Sequence, residues 1–150
     1  MLNRIAAIGP DALIRELESG SAPDSFSCLD HEVWDSVATG DSLWLLVAYR
    51  LQGSVDACVG ESEAGALSTA LAVAPSRVLR LFAGSDPVTL DDACSQNFLF
   101  YEGTTTSQVR SYYQRLLPAL DAVRDTALRP ALERCRANAL RTRASLLPQR

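Results

Sequence analysis

The chain has 150 residues and a mass of 16.2 kDa, the size of one domain able to bury roughly 70% of the surface its unfolded chain would expose. With 47% hydrophobic and 21% charged residues, and no run near the roughly 18 apolar residues of a membrane span, the composition points away from both a disordered chain and a transmembrane helix. The net charge of −4 hides an asymmetry: residues 1–100 hold 14 acids against 5 arginines, whereas residues 101–150 hold 4 acids against 9 arginines. Every basic residue is arginine and none is lysine, which fits a high-GC coding bias. A net-acidic surface repels nucleic acid and attracts basic proteins.

Helical periodicity dominates the chain, and strand-like alternation is nearly absent. Met1 to Pro10 carries one positive charge but too short an apolar stretch for a secretion signal. Either the protein is cytoplasmic or the chain begins after a removed signal. Pro10 opens a helix that Gly20 closes, with Leu13, Ile14 and Leu17 inward, and residues 21–27 form a loop. A short helix follows Asp30, with Val33, Trp34 and Val37 at helical spacing, and stops at Gly40. Asp41 caps the next, Ser42 to Gln52, which is apolar on all sides and so expected at the centre of the fold, covered on several faces.

From Ser62, the stripe Ala66, Leu67, Ala70, Leu71 and Ala74 runs to a corner at Pro75, which opens the following helix with Val78, Leu79, Leu81 and Phe82 inward. Thr89, with Asp92 three residues on, caps a short turn carrying Cys94. After the polar loop at 102–106, a long helix shows Val109, Tyr112, Tyr113, Leu116, Leu117, Leu120 and Val123, with a kink expected at Pro118. A last helix, about Thr126 to Leu147, is its antiparallel neighbour because the link between them is short. The reading is a single all-α domain spanning 1–150, a compact bundle of about seven or eight helices, with α-solenoid-like helix pairs as one variant, ending in a long antiparallel hairpin.

The four cysteines, Cys28, Cys58, Cys94 and Cys135, allow three pairings, and no CxxC is present. At least one bridge is expected, four buried free thiols being the alternative. Cys135 lies in the inward stripe Leu128, Leu132, Cys135, Ala139. A bridge from it to Cys94 would close about 40 residues and stabilise by a few kcal/mol. It would also imply an oxidising compartment.

Motifs for chemistry are thin. His31 is the only histidine, and Cys28-Leu-Asp-His31 is the one local arrangement that could lower a thiol pKa or supply two zinc ligands. The simpler reading makes Asp30 a helix cap and His31 a solvated first-turn residue. Gly60-Glu-Ser-Glu-Ala-Gly lacks the glycine at 64 that a nucleophile elbow requires. No EF-hand loop, Walker lysine or Gly-x-Gly-x-x-Gly fingerprint occurs, so no catalytic residue, metal or cofactor is expected. Arg129, Arg134, Arg136, Arg141, Arg143 and Arg150 form a basic run with few aromatics among them; they are expected to dock on the acidic part or stand in solvent rather than bind nucleic acid.

One pattern resembles a known set. Trp34-x-x-Val37-x-x-Gly40, Trp44-Leu45-x-Val47-Ala48-x-x-Leu51, Asp56, Leu67-x-x-Ala70-Leu71, Pro75-x-x-Val78-Leu79-x-Leu81, Cys94 and Cys135 are similar to a family of small helical proteins that high-GC Gram-negative bacteria export to the envelope. The similarity covers most of residues 30–140 and rests on structural residues. It implies an all-helical fold, a periplasmic location and a Cys94 to Cys135 bridge, and it brings no active site. Cys28 and Cys58 fall outside the pattern, and their pairing is a separate expectation.

The functional expectation is a non-enzymatic envelope protein that binds a basic protein partner through Asp30, Glu32, Asp35, Asp41, Asp56, Glu61 and Glu63, with a toxin-neutralising immunity protein as one concrete form. The alternative is a small-molecule or envelope-component site lined by Trp34, Trp44, Tyr49, Tyr112 and Tyr113.

Overall fold

The computed structural model describes residues 1–9, 12, 15, 31–52, 57–84, 87–95 and 103–147. Among these it is all-helical: α1 Leu2–Ile8, α2 His31–Ala38, α3 Ser42–Leu51, α4 Ala57–Leu71, α5 Pro75–Phe82, α6 Pro87–Ser95, α7 Thr106–Asp121 and α8 Arg129–Leu146, with a 3₁₀ turn at Thr126–Leu128 before the last. The expected helix over 10–20 lies largely outside the described residues. Three boundaries differ from the sequence reading. Leu2–Ile8 is a helix, short but anchored by buried Ile5. Helix α4 starts at Ala57 rather than near Ser62, and α6 starts at Pro87, so Thr89 lies inside it rather than capping it.

The helices alternate between two rows. In one, α2, α4, α6 and α8 pack side by side in that order; in the other, α3 packs on α5 and α5 on α7. Helices α2, α4 and α5 each touch both the next in sequence and the next but one, as in stacked helix pairs. Asp121 pairs with Arg136, and Arg143 lies near enough to Tyr113 to act on its hydroxyl, so numbers fall along α8 as they rise along α7 and the hairpin is antiparallel.

The central element is α4, which packs against α2, α5, α6 and α7. Its inward positions Ala64, Ala66, Ala70, Leu67 and Leu71 are buried. The alanines let neighbours approach closely, and the leucines fill the spaces between them. Helix α3, the one expected at the centre, instead lies at the end of its row. It rests on α2 and α5 and carries a small second cluster of Ile5, Val47 and Leu51, with Leu2 and Trp44 packed against it. All-round hydrophobicity did not mark the centre; the sites where four neighbours meet demand small side chains as much as apolar ones.

Local signals place these helices. Asp41 Oδ1 accepts from the backbone N–H groups of Leu43 and Trp44 at 2.9 and 3.3 Å, which caps α3 as expected. Thr105 and Gln108 form a reciprocal capping box on α7. Gly40 has φ +72°, and a Cβ there would stand 2.6 Å from Ala74 Cβ, so only glycine fits where the α2 terminus meets the α4–α5 corner. Arg77 Nη1 donates to the Gly40 carbonyl at 3.1 Å and closes the same junction.

Where α4 ends inside the core its carbonyls need partners. The Ser68 carbonyl accepts from Tyr112 Oη at 2.7 Å, while Ser68 Oγ donates to the Ala93 carbonyl in the last turn of α6, also at 2.7 Å. Two helix ends are thus satisfied by side chains of other helices. Tyr112→Phe leaves the buried Ser68 carbonyl without this donor and should cost about 1–3 kcal/mol; urea melts of the two proteins at one pH would read the loss, and equal midpoints would show that the bond contributes nothing.

Cys94 and Cys135 are joined by a disulfide with Cα atoms 4.9 Å apart and a sequence separation of 41. Both are fully buried, and the bridge fastens α6 to α8. The pairing of Cys28 with Cys58 lies outside the described residues. The Cys94→Ala/Cys135→Ala double variant should lose about 2–5 kcal/mol, seen as a lower thermal midpoint. An unchanged midpoint would mean that packing alone holds α6 on α8.

Candidate protein-binding surface

The seven acids expected to meet a partner divide when placed on the fold. Glu32 and Asp35 are exposed one turn apart on α2, Asp41 is exposed at the start of α3, and Glu61 is exposed on α4. Asp30 and Asp56 lie outside the described residues. Glu63 is a correction: it is 2% exposed and cannot belong to a surface patch. The spacing Glu61-x-Glu63 puts two residues about 200° apart around a helix, so one carboxyl points out while the other turns in.

Asp91 on α6 pairs with Arg134 at 3.0 Å, Asp121 on α7 with Arg136 at 2.8 Å, and Asp125 with Arg80 at 3.0 Å. Two of these pairs use arginines of α8: Arg134 docks on Asp91 of the acidic part, as expected, whereas Arg136 meets Asp121 outside it. Being exposed, each contributes about 0–1 kcal/mol. By contrast Asp35, Asp41 and Glu61 have no arginine within ion-pair distance among the described residues, and neither do Arg110, Arg115, Arg129, Arg141 and Arg143 have a carboxylate. Helix α2, at one end of its row, presents acids, and α8, at the other end, presents arginines.

The aromatic residues of the alternative reading do not share one cavity. Trp34, Tyr112 and Tyr113 are buried in the main core, Tyr112 and Tyr113 edge to face at 5.3 Å. Burial pushes both tyrosine hydroxyls above their ordinary range, with Arg115 opposing at Tyr112 and Arg143 at Tyr113. Tyr49 is partly exposed and meets Phe82 edge on at 5.7 Å. Trp44 borders a groove of about 330 Å³ between α1 and α3 whose other lining residues are Met1, Leu2, Asn3, Leu43 and Val47. The groove has no signature in residue order, because Leu2–Ile8 is too short for a helical stripe to show and the apolar α3 is expected to be covered on several faces.

For chemistry, His31 opens α2, and the Cys28 that would accompany it lies outside the described residues. No group of three His, Cys, Asp or Glu side chains able to hold a metal occurs among the described residues, and none of the described helices is long and apolar enough to cross a membrane. Comparison with known proteins returns no match to a family model, a curated protein or a solved structure.

Glu63 is the unusual ionisable group. Its Oε1 has no hydrogen-bond partner, and burial pushes its pKa from 4.5 up to about 8. The folded protein therefore keeps a proton that the unfolded chain releases above about pH 4.5, so the contribution of Glu63 to stability is fully present below that pH and is lost as the pH rises toward 8. Glu63→Gln cannot ionise and should be spared this decline, which amounts to at most about 1.4 kcal/mol per pH unit. Urea melts across this range should show the wild type losing stability relative to the variant; parallel profiles would mean that the carboxyl is ionised in the folded state.

Proposed function

We propose that the protein acts by binding a basic protein partner through the acids of α2, α3 and α4, without catalysing a reaction. The observation that supports this is the set of exposed carboxylates, Asp35, Asp41 and Glu61, that no arginine of the same chain neutralises among the described residues, while Asp91, Asp121 and Asp125 are each paired with an arginine. Unpaired surface charge of one sign steers an oppositely charged protein during encounter and disfavours wrong partners, although each rim charge adds little affinity. Neutralising a secreted basic toxin is one form such binding would take. The buried bridge between Cys94 and Cys135 supports an oxidising location, the bacterial periplasm in our reading, because reducing compartments seldom keep structural disulfides.

Capture of partners by the immobilised protein from a lysate of its source, at low and at high salt, tests the reading. A partner held by the wild type at low salt should be released at high salt and not be retained by Asp35→Arg/Glu61→Arg, whose fold is verified by circular dichroism. Retention unaffected by both salt and charge reversal would overturn it.

A further inference from the structure

The bridge between Cys94 and Cys135 lies in the seam between α6 and α8, and neither cysteine has any exposed surface. The two flanks of the seam are closed in different ways. On the inner flank, Ala93 of α6 and Ala139 of α8 belong to the main core and Leu132 packs against it. The Ala93 carbonyl is also tied to α4 by the Ser68 hydroxyl at 2.7 Å. The outer flank is polar. Asp91 stands one turn before Cys94 on α6, while Arg134 and Asn138 bracket Cys135 on α8. Asp91 Oδ1 accepts from Arg134 Nε at 3.0 Å and from Asn138 Nδ2 at 3.4 Å. Positions 134 and 138 are one turn apart on a single face of the helix, so one carboxylate oxygen clamps both along the seam. The side chains of Asp91 and Arg134 are 40% and 43% exposed, which puts the clamp where the seam meets water.

Reduction of the bridge requires a thiolate at one of its sulfurs. A mixed disulfide forms, the other sulfur leaves as a thiolate and takes a proton, and a second thiol of the reductant resolves the mixed disulfide. The bridge thereby gains two electrons and two protons, and a dithiol reductant ends as a cyclic disulfide. With α8 docked, no thiolate reaches either sulfur, because both cysteines are wholly covered. Opening the inner flank would break core packing and the Ser68 bond. Opening the outer flank breaks an exposed ion pair, which holds weakly in water, and one long hydrogen bond. The seam has a weak side, and it faces solvent.

We propose that the Cys94–Cys135 bridge is a gated redox latch: thiol reductants reach it through a local parting of α6 from α8 on the outer flank, and the clamp from Asp91 to Arg134 and Asn138 sets how often that gate opens. Once formed, the bridge holds α8 on its row through brief exposure to thiols. Its oxidation has the same requirement, so the bridge closes before α8 docks or through the same opening.

The test exposes the oxidised protein to dithiothreitol without denaturant and follows the peptides that carry Cys94 and Cys135 by alkylation and mass spectrometry. The native bridge should be reduced at least about 100-fold more slowly than the same bridge in urea-unfolded protein, because only the locally open fraction reacts. Asp91→Ala removes the clamp and should speed reduction of the native protein about fivefold, as the loss of a contact at the upper end for exposed ion pairs. Asp41→Ala is the control. It removes the cap of α3, a helix that packs on α2 and α5, and so lowers stability away from the seam; it should leave the rate unchanged. Native reduction as fast as in the unfolded protein would show that the bridge is open to reagents. Equal acceleration by both variants would mean that only unfolding of the whole chain admits the reductant, and a rate unmoved by Asp91→Ala would place the gate elsewhere. Each of these three results overturns the proposal.

Discussion

Helix α4 must pack against four others at once, and the rest of the structure follows from how it does so. Alanine at 64, 66 and 70 keeps the helix thin where neighbours close in. Close approach also buries the end of the helix, where backbone carbonyls have lost their intrahelical partners. Tyr112 from α7 supplies the Ser68 carbonyl with a donor, and Ser68 in turn supplies the Ala93 carbonyl of α6. Packing and polar satisfaction are therefore linked: where the three helices meet, Tyr112 and Ser68 supply donors to carbonyls that close packing shuts away from water. The Cys94 to Cys135 bridge extends the same row by fastening α8 to α6.

Giving the centre to α4 sends the greasiest helix to the edge. Helix α3 buries Leu45, Val47, Ala48 and Leu51 and leaves Leu43 and Tyr49 in water. Helix α1 covers part of that flank through Ile5 and Leu2, and the gap between the two helices is the groove. Asp41 caps α3 at its start. At the other end of the row, α8 spends two arginines on neighbouring acids and keeps others in solvent. Exposed charges such as these are screened within roughly 10 Å at 0.1 M salt, so their long-range effect depends on ionic strength.

Much of the fold was legible in residue order because its signals are local. The 3.6-residue stripes at Val78 to Phe82 and Val109 to Leu120, the cap at Asp41, the stop at Gly40 and the corner at Pro75 each act within a turn or two of chain, and each stands where expected. Helix α1 was missed because seven residues are too few for periodicity to show, and it is held by Ile5 reaching a distant helix. The start of α4 was missed because Ala57 to Gly60 carry no stripe of their own. Of the candidate site, the exposed acids were readable from composition, whereas Glu63 was not separable from Glu61 by type or by charge.

Residue order by itself determined that the chain is helical, where most helices begin and end, and that its charge is divided between its two parts, because caps, breakers, stripes and charges are properties of neighbouring residues. Tertiary structure alone decided which helix occupies the centre, which carboxyl is shut away from water, which acids find an arginine, and that a groove opens between α1 and α3. These outcomes depend on which surfaces meet across long stretches of chain, and the balance of side-chain volume against backbone approach that selects them has no local signature.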